Sequence, residues 1–154
     1  MIKSFGSGIL LFFFMASFIT PDLNLLRENY SKAMSDKEIC KKMMSELVKT
    51  KNNSPTHLAY LGGVQTIWAN HVFSPINKFS TFKKGKKNIE QAILLEPNNI
   101  ELRFIRLSIQ KNIPHFLGYK SNINEDIAFI EKNRLKINSD ILEKNIDALL
   151  KSNK

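Results

Sequence analysis

The 154-residue chain reads as an all-α protein. Three observations predict this. Apolar residues recur at helical spacing along most of the chain, as in Ile89, Ile93 and Leu94 or in Ile100, Phe104 and Leu107. No segment alternates apolar and polar residues with period two for long enough to make a strand. Six Gly and five Pro are too few for an all-β chain rich in tight turns. Short connections between the periodic stretches imply antiparallel neighbours. The expected architecture is a set of antiparallel helix hairpins, about six to eight helices, forming either an α-solenoid fragment or an irregular bundle.

Residues 1–20, MIKSFGSGILLFFFMASFIT, place one Lys before the apolar run Ile9–Ile19. That run suits the core of a signal peptide and is short against the roughly 20 residues of a spanning helix. The expectation is export, to the periplasm or beyond it. An uncleaved inner-membrane anchor at residues 9–19 is the alternative. Residues 21–150 then form one helical domain, with 151–154 as a frayed tail. Asp22–Met34 carries Leu23, Leu26, Tyr30 and Ala33 on one face, and Ser35 with Glu38 has capping-box spacing. The next helix aligns Ile39, Met43 and Leu47 beside Cys40, Met44 and Val48, and Lys49–Asn53 is a polar loop. Ser54-Pro55 supplies an N-cap and a proline at the first helical position. The helix that follows runs to about Val72 and holds Gly62-Gly63. Two internal glycines cost roughly 1 kcal/mol each against Ala, tolerable where another helix crosses at close range. Ser74-Pro75 repeats the start signal before a long stretch, Ile76–Leu95, with candidate breaks at Ser80 or Gly85.

Lys86–Gln110 is the centre of the organisation: a helix end, a Pro97-Asn98-Asn99 turn and a new helix opened by Asn98 with Glu101. Gly85, Ile89, Ala92 and Pro97 fall at the spacing of the second helix of a tetratricopeptide repeat, which this stretch resembles. It stands as a single copy, since nothing repeats at a period of about 34 residues. As a whole the chain also resembles small exported bacterial helical proteins. The repeat resemblance implies helix hairpins that bind a protein segment along one face. Downstream, Asn112–Tyr119 is a turn or one short helix, Asn122 with Glu125 opens a helix through Ile123, Ile127 and Ile130, and Ser139 caps the last helix.

The formal charge is +9, carried by 19 Lys and 4 Arg. A basic balance favours anionic partners. The scarcity of Arg, the residue of bidentate base contacts, and the export signal both argue against nucleic acid. The single Cys40 excludes an intramolecular disulfide framework and sits in an apolar stripe, as a buried thiol would. There is no H-E-x-x-H, paired-cysteine, Walker, Rossmann or G-x-S-x-G pattern, and the carboxylates are dispersed. His57 and His71 lie about 21 Å apart if one helix carries both, too far to share a metal. No enzyme, cofactor or metal is expected.

Four features are candidate binding elements. Lys83, Lys84, Lys86 and Lys87 form a basic cluster. Asn70 and His71 follow Trp68, itself expected in the core. Arg103 and Arg106 share a face of a largely apolar helix and call for a carboxylate such as Asp126 or Glu125, as an internal pair or in competition with an anionic ligand. His115 and Tyr119 belong to a loop that lines a groove or covers the core. The leading functional expectation is a non-enzymatic interaction module that binds a protein segment through a helical face. The alternative is a binder of acidic lipid or polyanion through Lys83–Lys87. A third, an enzyme with a site near His71, His115 and Arg103, requires those side chains to converge.

Overall fold

A computed structural model describes residues 21–50 and 54–152. The expected export signal and most of the 49–53 loop lie outside the described residues. Seven α-helices and three 3-10 turns, with no strand, make up the described chain. The all-α prediction holds.

The helices start where small polar side chains leave the helical path. α1 (Leu23–Ala33) buries Leu26, Tyr30 and Ala33, as its apolar stripe requires. α2 (Lys37–Lys49) buries Cys40, Met43 and Leu47. Its N-cap is Asp36 rather than Ser35: the Asp36 carboxylate accepts from the amides of Glu38 and Ile39 at 2.9 and 3.1 Å. Ser35 is taken up by the end of α1, where its hydroxyl donates to Lys32 O. α3 (Pro55–Trp68) is capped by the Ser54 hydroxyl as expected, and a 3-10 turn, Ala69–His71, follows it. α4 (Pro75–Leu95) runs 21 residues without the break expected at Ser80 or Gly85. α5 (Ile100–Asn112) begins after Asn99, whose side chain accepts from Glu101 N, so the cap is one residue later than the sequence implied. A second 3-10 turn, His115–Leu117, ends at Gly118 in the left-handed region, φ 61°. α6 (Ile123–Lys132), a third turn (Arg134–Lys136) and α7 (Asp140–Lys151), capped by Ser139, complete the chain. α7 continues to Lys151, one residue into the expected frayed tail.

α3 and α5 form the centre. Ten residues of each are buried, polar ones among them, and α3 packs against α1, α2, α4 and α5. Gly62 and Gly85 explain how α3 and α4 come so close. A Cβ on Gly62 would lie 2.6 Å from the Gly85 carbonyl oxygen, and one on Gly85 would lie 2.5 Å from the Gly62 oxygen. Only hydrogen fits at that crossing. Gly63 serves α1 in the same way, because a Cβ there would meet the Tyr30 hydroxyl at 2.6 Å. The Tyr30 ring packs edge-on against Tyr60 and Phe104, and its hydroxyl bonds Ser108 across 2.9 Å.

The ends of the chain meet. α7 packs on α1 and α5, and Asn145 Nδ2 donates to Arg27 O at 2.8 Å. In a solenoid each unit touches only its neighbours in sequence. Contact between the first and last described helices makes this the irregular bundle of the two architectures expected.

Candidate functional site

Polar residues buried in a helical core must find partners. Two clusters do so here. In the first, Arg106 donates from Nε and Nη2 to the Asp126 carboxylate at 2.7 and 2.6 Å, and from Nη1 to Glu90 at 3.1 Å. Asp126 is fully buried. Arg103 adds bonds to Asp126 at 3.1 Å and Glu125 at 2.8 Å, and its guanidinium lies over the Phe129 ring. Tyr119 donates to Glu90 at 2.5 Å. Burial, the largest single influence, opposes the Arg106 charge, but Asp126 first and then Glu90 outweigh it, and the Arg106 pKa rises. Burial, then Glu90, raises the pKa of the Tyr119 hydroxyl far above the usual tyrosine range. Glu125 is held below the carboxylate range by hydrogen bonds from Asn122 and then Arg103.

The expected carboxylate partners are thus in place. Arg103, Arg106 and Tyr119 tie α4, α5 and α6 together, and Tyr119 is buried rather than displayed by its loop. In the second cluster, Arg27 grips Glu101 with two bonds at 2.8 and 2.7 Å, and Tyr60 donates to the same carboxylate at 2.7 Å. The Glu101 hydrogen bond raises the Arg27 pKa, and burial, with Glu101 second, raises that of Tyr60. Glu101 was expected as a capping side chain. It ties α5 to α1 and α3 instead.

With these groups committed inside, the binding candidates are on the surface. The first six residues of α4, Pro75–Ser80, are all exposed, Ile76 and Phe79 included. α4 is 21 residues long against 14 for its partner α3, and the 3-10 turn Ala69–His71 also packs on it. Phe73, in the linker just before it, is completely exposed at 103 % relative accessibility. Ile76, Phe79, Lys83 and Lys87 align on one side of α4 through spacings of three and four. The Lys83 ammonium sits 4.6 Å above the Phe79 ring. Lys78 and Lys84 are exposed beside them. Lys86 departs from the predicted cluster: it is half-buried and stacks on Tyr119 at 4.6 Å.

The remaining candidates are dispersed. Asn70 and His71 are exposed on the turn that leads toward α4, with the His71 ring 5.5 Å from a half-buried Trp68. His115 is exposed on the second 3-10 turn. No hydrogen bond, ion pair or ring contact among the described residues joins any two of His71, His115 and Arg103, and Arg103 is spent on Glu125 and Asp126. That leaves the convergence required for a site built on them without support among the described residues. No group of His, Cys, Asp and Glu among the described residues could hold a metal ion, and no helix among them is long and apolar enough to cross a membrane. A groove of about 420 Å³ opens between α1, α5 and α7, lined by Tyr30, Met34, Phe104, Lys144 and Leu149 among others.

Sequence reasoning missed the exposed Phe73, Ile76 and Phe79. The available signal was the absence of any acid from Pro75 to Ile89, a stretch with five lysines. No protein-family model matches the chain, and no curated protein or solved structure matches it significantly.

Proposed function

We propose that this protein is a non-enzymatic binding module that docks on an anionic surface through the first half of α4. The observation that carries the reading is the acid-free run Pro75–Ile89, in which exposed Lys83 and Lys87 align with exposed Ile76 and Phe79 on one side of α4, with Lys78 and Lys84 exposed on its other sides. Lysines on an exposed face are commonly only a solvated surface. Here Lys83 and Lys87 share that face with apolar groups that the fold leaves uncovered, and that pairing favours a binding role. Export through the N-terminal segment would bring the domain to a membrane, and an anchor at residues 9–19 would hold it there.

The test is binding to vesicles of phosphatidylglycerol and phosphatidylcholine, and to polyphosphate, at rising salt. Each Lys near an acidic membrane surface is worth about 1 kcal/mol, so K83Q/K84Q/K87Q should bind about a hundredfold more weakly. Affinity should fall steeply with salt. Binding that ignores both salt and the three substitutions would end this proposal.

The groove between α1, α5 and α7 favours a second reading, a module that takes up a protein segment. Tyr30, Phe104 and Leu149 give it apolar walls, and Lys144 stands among its lining residues. An occupant there would cover Lys144 and leave the α4 lysines free.

A further inference from the structure

We infer that the surface met by α4 is an acidic lipid bilayer, and that Phe73, Ile76 and Phe79 enter it. This rests on the proposed reading of α4 and specifies its partner. A dissolved polyanion offers charge but no apolar phase. The three side chains are 103 %, 81 % and 49 % exposed, which is a large apolar tip for a solvated helix end.

The order of groups along α4 matches the layers of a bilayer interface. The apolar residues lie on the linker and the first turns, with Lys78 between Ile76 and Phe79, and Lys83, Lys84 and Lys87 follow. Lys83 lies one turn behind Phe79, about 6 Å along the axis, and Lys87 one turn further. With this end of α4 dipped into the interface, the apolar groups reach about 5–10 Å into the headgroup–acyl boundary while the ammonium groups stay at phosphate level. The contact between Lys83 and the Phe79 ring shows the arrangement in miniature: the lysine stem follows the apolar surface and its charge stays at the edge. Charge complementarity selects acidic lipid, since residues 75–89 include no carboxylate to repel phosphate. Glu90, the first acid beyond them, is engaged by Arg106 and Tyr119.

The experiment uses the full chain with Phe73→Trp, the wild type and its Trp68 serving as background, and vesicles of phosphatidylglycerol mixed with phosphatidylcholine brominated near the headgroup. Phe73→Trp emission should shift to the blue and be quenched, beyond any change in the wild type. In parallel, F73S/I76S/F79S should lose about a hundredfold in affinity for acidic vesicles while keeping its affinity for polyphosphate. All three positions are exposed, and circular dichroism of each variant is the check that it folds. Unquenched emission with undiminished vesicle binding by the serine variant would overturn the insertion and leave lysine-driven docking standing. Binding of polyphosphate alone would overturn the bilayer as partner. Failure to bind either probe would overturn the proposed function and this inference with it.

Discussion

Gly85→Ala tests the packing at the centre of the bundle. A methyl group at this position would lie 2.5 Å from the Gly62 carbonyl oxygen, 2.7 Å from Thr66 Cγ2 and 2.8 Å from Thr66 N. Two of these three neighbours are helix backbone and cannot rotate away, so α3 and α4 must separate to admit the methyl. Two effects compete. Ala is the better helix former by about 1 kcal/mol. Overpacking a well-filled contact costs about 1–3 kcal/mol. Contacts this short on rigid atoms place the cost toward the upper end, and the net loss should be about 1–2 kcal/mol. Equilibrium urea unfolding should show a lower midpoint with an unchanged slope, and the thermal midpoint should fall by about 2–8 °C. Gly62→Ala should behave alike. The double variant should lose less than the sum, because the helices have already parted once the first methyl is in place. A Gly85→Ala protein as stable as the wild type, or more stable, would refute the close crossing.

Other predictions follow from the buried polar groups. Asp126→Ala removes the carboxylate that serves both Arg106 and Arg103, and should cost about 3–5 kcal/mol in urea unfolding; a loss below about 1 kcal/mol would show that the cluster is solvated. Cys40 has the opposite relation to pH from a salt-bridged carboxylate. Burial pushes its thiol from 9.0 up to about 11, so between those values the folded chain keeps a proton that the unfolded chain releases. Its contribution is whole below about pH 9 and is lost as pH rises through the folded value. Cys40→Ala should therefore flatten the fall in stability between pH 9 and 11, measured by urea unfolding at each pH; an equally steep fall in both proteins would contradict the assignment. Tyr60→Phe leaves Glu101 with Arg27 alone and should cost about 1 kcal/mol in the same assay, whereas no loss would mean that the hydroxyl bond adds nothing.

Much of this fold was legible because it rests on local rules. Of the expected α1 face Leu26, Tyr30 and Ala33 are buried and Leu23 half-buried; of the two α2 rows the inner members Cys40, Met43 and Leu47 are buried, while Ile39 and Met44 are half-buried and Val48 is exposed; and Arg106 found a carboxylate on the next helix. Capping was legible only to within a residue. At Ser35-Asp36 and Asn98-Asn99 two adjacent side chains have the right chemistry, and backbone angles decide which one has left the helix. The long-range pairings were not legible. Gly85 looked like a break because its cost in an isolated helix is certain, while its compensation, Gly62, is 23 residues away. Glu101 has capping spacing, yet its carboxylate goes to Arg27, 74 residues distant. The lysines of the candidate site were visible as a charge run. Phe73, Ile76 and Phe79 were not, because apolar residues at helical spacing read as core until the packing of the neighbouring helices is known.

The most direct test of α4 as the docking face is a residue-resolved acetylation footprint of the full chain, with and without acidic vesicles. Lys78, Lys83, Lys84 and Lys87 should be protected, while Lys41, Lys42, Lys144 and Lys151, also exposed, should react as they do in free solution. Protection at Lys144 with the α4 lysines still reactive would contradict the account and move the binding site to the groove between α1, α5 and α7.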